Sequence, residues 1–140
     1  MMQTMNRTMI IAAIVVSVLF PFVTTWAATG SEIALSPTPA HPNASGTAFI
    51  DGSHVNIQAR GLKSEAVYTV WFVNMKPSKH ETGAGSPPFM FKTDAWGNAN
   101  YSGVLKESPF GKWAMVMVVL HPDGDPKNMQ QMVGALRAEL

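Results

Sequence analysis

The chain of 140 residues contains no cysteine. That excludes disulfide staples, thiolate metal sites and cysteine nucleophiles. Charge is sparse and balanced: ten Lys and Arg stand against nine Asp and Glu, for a formal net charge of +1. A chain so even in sign lacks the basic stripe that neutralises phosphates, which argues against nucleic acid. It also lacks a polybasic segment for an anionic membrane surface. No Gly-x-Ser-x-Gly elbow and no His-Glu-x-x-His pair occur, so the sequence presents no recognised catalytic constellation. A non-enzymatic protein is expected. Without disulfides, stability must come from a packed core, which a domain above ~100 residues is able to build.

What is present begins with an apolar run from Ile10 to Val23, preceded by the single charge of Arg7 and followed by Thr25, Ala27 and Ala28. A positive start, a short hydrophobic stretch and a small-x-small site make up a secretory signal. The run falls short of the ~20 residues that a spanning helix needs, and Pro21 would interrupt such a helix. The expectation is a signal peptide over residues 1–27, cut after Ala27 or Ala28, and a secreted or periplasmic protein with no stable membrane span after cleavage. Cleavage removes Arg7, leaving nine basic and nine acidic side chains.

Residues 28–46 carry Pro37, Pro39 and Pro42 and read as an extended lead-in, a linker or edge strand. From 47 to 140 short β-rich runs alternate with turn residues. Val55, Ile57 and Ala59 alternate with Asn56, Gln58 and Arg60, and the segment Tyr68 to Val73 is aromatic and β-branched almost throughout. Trp113 to Leu120 forms a second long apolar run, and Asp94 to Asn98 reads as a turn. The C-terminal segment fits a helical turn near Asn128 to Gln131 and a closing strand from about Val133. Regular strands between turn signals predict an all-β fold, a single antiparallel Ig-like β-sandwich of about seven strands. Its core is expected from Val55, Ile57, Tyr68, Val70, Trp71, Phe72, Phe91, Val116, Val118 and Leu120.

The order Gly61-Leu62, Tyr68-x-x-Trp71, Phe91-x-Thr93-Asp94-x-x-Gly97-Asn98, Pro122-Asp123-Gly124 and Ala135-Leu136-x-Ala138-x-Leu140 resembles the extracytoplasmic domain of anti-sigma-K factors. The resemblance covers roughly residues 47–140 and implies a small β-sandwich outside the cytoplasm. Sigma-binding and transmembrane parts do not accompany it, so it implies a sensor-like domain rather than regulation of a sigma factor.

Both faces of the Trp113 to His121 run are apolar, whereas a sandwich strand normally wets one of them. The even residues Ala114, Val116, Val118 and Leu120 are small or branched and suit the core. The odd residues Trp113, Met115, Met117 and His121 are expected to point outward. With Lys79 and His80 of the Pro- and Gly-bearing loop between Met75 and Met90, they form the expected binding surface. An unidentified protein, a small ligand or a second copy of the chain are the partners considered. No cofactor is required by this reading.

Thioether and imidazole together suit copper, above all Cu(I). The alternative reading is therefore a periplasmic copper-binding protein using Met75, His80, Met90, Met115, Met117 and His121, although alternating Met in a strand commonly fills a core. Asp123 and Asp125 flank Gly124 at a spacing compatible with calcium, but a calcium loop needs more oxygen donors than Asn128 adds. A turn accounts for the same residues.

Overall fold

Alternation sets the strands. In the computed structural model, which describes residues 30–140, Val55, Ile57 and Ala59 are buried while their neighbours face solvent, the two-residue period that a pleated strand imposes. The elements are β1 (Gly30–Pro37), β2 (Ser45–Asp51), β3 (His54–Arg60), β4 (Val67–Asn74), β5 (His80–Gly83), β6 (Met90–Lys92), β7 (Ala99–Val104), β8 (Met115–His121) and β9 (Val133–Glu139). The described residues contain no helix, and no helix among them is long and apolar enough to cross a membrane. The expected signal peptide lies outside the described residues.

All pairings are antiparallel and follow one path, β5-β4-β8-β9-β1-β2-β3-β7, with β6 also on β4. β1 joins the halves: Gly30 to Leu35 pair with β2, then Ser36 and Pro37 pair with β9. The sheet curls so that both halves share one core, with Ile50, Val55 and Ile57 contributed from one side and Tyr68, Val70, Val116, Val118 and Leu136 from the other. On the open side, the Phe91 ring stacks on Tyr68 at 5.5 Å and meets Tyr101 at 6.1 Å. Aromatic contacts of this kind each add about 0.5–1.5 kcal/mol beyond their buried area. Tyr101 Oη donates to the Ala84 carbonyl at 2.5 Å, fastening β7 to the segment after β5.

The all-β antiparallel architecture is as expected, with nine strands in place of about seven. One addition falls in the lead-in read as a linker or edge strand, and the other in the loop expected between Met75 and Met90. β1 occupies the lead-in, and Leu35 and Ala44 are buried in the core, so the sheet starts before Thr47. Pro37 costs no ladder bond in the middle of a strand because it is the last residue of β1. β5 is a four-residue strand inside the expected loop, held by Trp71↔Gly83 to Asn74↔His80 pairing. The C-terminal segment resolves as the strand β9, with turns rather than a helix ahead of it. Nine of the ten expected core residues are buried; Trp71 is the exception and faces away from the core.

The loop between β1 and β2 brings His41 over Tyr68. Its Nε2 lies 3.1 Å from Tyr68 Oη, which accepts the Lys63 amide at 2.9 Å. His41 Nδ1 is buried without a hydrogen-bond partner. Burial holds the His41 pKa below its ordinary 6.5, because loss of solvent disfavours the charged imidazolium. The folded state therefore binds this proton more weakly than the unfolded chain, so its contribution to stability is present above pH 6.5 and declines as pH falls below that value. Asp51 and Asp123 are held below 3.8 by hydrogen bonds, chiefly from the Ser53 amide and the Asn128 side-chain amide respectively, so their contributions decay only at lower pH. Urea unfolding is expected to give a lower midpoint at pH 5.5 than at pH 7.5, and His41→Gln to flatten that difference. An unaltered pH slope in His41→Gln would assign it to other groups.

Candidate functional site

The second face of β4 and β8 builds the site. Tyr68, Val70 and Phe72 point into the core, which turns Thr69, Trp71 and Val73 to the opposite side. On β8, Val116, Val118 and Leu120 are core, and Met115, Met117, Val119 and His121 share the outer face. Register sets Thr69 beside Val119, Trp71 beside Met117 and Val73 beside Met115. The even residues of β8 thus form the core as expected. Trp113 and Ala114 depart from the scheme, because both precede the strand and its alternation does not reach them. Trp113 packs against the core and Ala114 is exposed.

Two loops cover this outer face. Residues 122–132, between β8 and β9, lie over its His121 end, where Thr69, Val119 and His121 are all buried. Polar groups there are satisfied in a chain. Trp71 Nε1–H donates to Thr69 Oγ1 at 2.7 Å; Thr69 Oγ1 lies 2.7 Å from His121 Nε2; His121 Nδ1 lies 3.1 Å from the Asn128 carbonyl. Every donor finds an acceptor when Thr69 donates to Nε2 and His121 carries its proton on Nδ1. His121 is therefore 1% exposed and anchors the loop, which corrects its expected place on a binding surface. The HPDGDP segment is closed by its own bonds. The Asp125 amide donates to Asp123 Oδ1, Asn128 Nδ2 to Asp123 Oδ2 and the Lys127 amide to Asp125 Oδ1.

The second cover follows β5. The Phe89 ring lies 5.3 Å from the Trp71 indole and directly on Gly83, where a Cβ would come within 2.2 Å of the ring. Phe89 adopts φ +62°, a left-handed conformation that costs a bulky residue about 1–3 kcal/mol. Two backbone bonds hold it there: the Phe89 amide donates to the Ser86 carbonyl at 2.9 Å, and the Val70 amide donates to the Phe89 carbonyl at 3.0 Å.

Between these covers the face stays open along a groove. A cavity of about 210 Å³ is lined by Trp71, Lys79, Glu81, Met117, Met129 and Met132, among others. A larger, mainly apolar one of about 610 Å³ adjoins it, lined by Trp71, Pro87, Pro88, Phe89, Lys127 and Met129. Trp71 and Met129 belong to both. Another cavity of about 600 Å³, on the far half of the sheet, is lined by polar side chains including Gln58, Arg60, Asp94 and Asn100. An apolar groove with a few convergent polar groups is the more usual form of a ligand site, and the Trp71 groove has that form.

The sequence-derived residues distribute unevenly. Met117 and Lys79 line the groove, the latter with its Nζ 3.5 Å from Glu81 Oε2. Met115 lies on the same strand face but beside Ser36, Arg137 and Glu139. His80 is exposed, with Nδ1 2.9 Å from the Ser78 carbonyl. Met75 and Met90 are exposed, Met90 near His54 and Pro88 in a separate depression. The six residues of the copper reading are therefore not brought to one place, and both nitrogens of His121 are already engaged. Trp71, Phe89, Met129 and Met132 were missed as site residues. One signal for the last two was present, since Met129-Gln130-Gln131-Met132 is a Met-x-x-Met spacing. Among the described residues no group of three or more His, Asp or Glu side chains is placed to hold a metal ion. Comparison with protein-family models, curated proteins and solved structures finds no match.

Proposed function

We propose that this protein is an exported, non-enzymatic binding module, sensor-like in organisation, whose ligand enters the groove beside Trp71. The observation that carries the reading is an outer sheet face that remains apolar beneath two covers which do not close over it. Both covers are anchored, one by the Thr69–His121–Asn128 chain and one by the Phe89 turn, so the groove is formed before a ligand arrives. Preorganisation of this kind lowers the entropic cost of binding. The signal-like N-terminus and the resemblance to an extracytoplasmic sensor domain support the exported setting.

Met129 provides the test, since it lines both cavities and is 38% exposed. Met129→Asp is expected to leave the far-UV circular dichroism and melting temperature nearly unchanged. It should weaken saturable binding of the apolar dye 1-anilinonaphthalene-8-sulfonate by roughly tenfold, as expected when a charge enters an apolar contact. Unchanged dye affinity in the folded variant would remove the groove as the site.

A further inference from the structure

We propose that the smaller cavity is a thioether site for a soft monovalent cation, Cu(I) in chemical class, held by Met117, Met129 and Met132. The inference rests on the groove being the binding site and names one ligand for it. Three methionines from separate positions, one on β8 and two on the loop before β9, line the same cavity of about 210 Å³. Met117 and Met132 are half-buried and Met129 is exposed, so the cavity opens to solvent on one side. The methyl of Met117 lies 3.5 Å from where a Gly134 Cβ would stand; the bare backbone there leaves the long side chain room to turn.

The rest of the lining narrows the choice of cation. No imidazole or thiolate lines the cavity, and Glu81, paired to Lys79, is its only carboxylate. Hard cations such as calcium need many oxygen donors, and zinc needs nitrogen, oxygen or thiolate ligands. Thioethers are weak ligands for both but select Cu(I). Neutral thioethers tolerate a lining whose one carboxylate is already paired to Lys79, and the Trp71 indole lies beside Met117 in the same cavity. The site differs from the six-residue set drawn from sequence, sharing only Met117 with it. A loop that is anchored at His121 and Asn128 delivers the other two.

The test uses the full chain with methyl-labelled methionine and Ag(I), a redox-silent stand-in for Cu(I), in chloride-free buffer. One equivalent of Ag(I) is expected to shift the methyl resonances of Met117, Met129 and Met132 and to leave those of Met75, Met90 and Met115 in place. Under anaerobic conditions the protein should withdraw Cu(I) from bicinchoninate. Each of Met117→Leu, Met129→Leu and Met132→Leu should weaken that withdrawal by roughly tenfold or more, as loss of a ligand requires. Zinc should produce no shift. Absence of silver shifts, or shifts shared with Met75 and Met90, would overturn the site, as would a triple Leu variant that still competes for copper. Dye binding without silver shifts overturns the metal site and spares the groove; loss of both in the wild-type chain overturns both.

Discussion

Val118→Asp is expected to leave no folded protein at room temperature, while Met117→Asp, one residue away, is expected to fold. Val118 is fully buried between Val70 and Leu136 on the neighbouring strands and belongs to the core shared by both halves of the sheet. No cationic side chain belongs to that core cluster. A carboxylate placed there is either charged without a partner or protonated at a large cost; an uncompensated buried charge costs about 3–5 kcal/mol. The lost valine packing adds to this, against a total stability of about 5–15 kcal/mol for a domain of this size. Met117 points to the half-covered groove, where a carboxylate reaches water beside Lys79. Far-UV circular dichroism and a urea titration of both variants decide the matter. A folded Val118→Asp and an unfolded Met117→Asp would mean that the two faces of β8 had been exchanged and that the groove is core.

Gly97→Ala is expected to lower the melting temperature by roughly 10–20 °C, the equivalent of about 2–4 kcal/mol for a domain of about 100 residues. Gly97 has φ +79°, and a Cβ there would lie 2.1 Å from the Leu62 carbonyl oxygen. The turn around it is fixed by Asp94, whose Oδ1 accepts the amides of Trp96 and Asn98, each at 2.9 Å. Leu62 in turn donates its amide to the Gly97 carbonyl at 3.2 Å while its side chain sits in the core. A methyl group must therefore push either the turn or Leu62 out of place. Gly124→Ala separates strain from collision: its φ is +74°, yet nothing lies within 4 Å of the added carbon. That variant should pay only the left-handed penalty of about 1–2 kcal/mol. Equal losses in the two variants would show that the contact with Leu62 contributes nothing.

The strands that sequence made legible are those with a one-sided pattern. β3 alternates cleanly, and β4 and β8 are long enough that register and composition agree. The Asp94 to Asn98 turn was readable because Asp and Gly each have a specific backbone task there. β1 was legible only in part: Pro37 and its neighbours suit a linker or edge strand, and nothing local reveals that β9, about a hundred residues later, pairs with its end and places it inside the sheet. β5 was hidden for a related reason: four polar or small residues carry no periodicity, and only the edge of β4 makes them a strand. Trp71 misled in the opposite sense. An aromatic in YTVWFV looks like core, but its neighbours Val70 and Phe72 already occupy the inward positions, so alternation puts the indole outside. His121 shows the limit for the site. A histidine at a strand end before a Pro-Asp-Gly turn looks exposed, and its burial depends on a loop carbonyl at Asn128 that side-chain identity does not encode. The groove itself arises from where two loops stop, which no residue pattern states.

The position of β1 constrains when the molecule is able to take shape. One edge of β1 pairs with the next strand to be made, but its last two residues pair with β9, the last strand of all. Until Val133–Glu139 are available, β8 lacks a neighbour on one side and no strand pairing joins the two halves of the sheet. Topologies dominated by such distant pairings fold in about milliseconds to seconds rather than microseconds. The segments made before β9 therefore have no complete sheet to join. Closure of the sheet then waits until β1 and β9 are both free to meet.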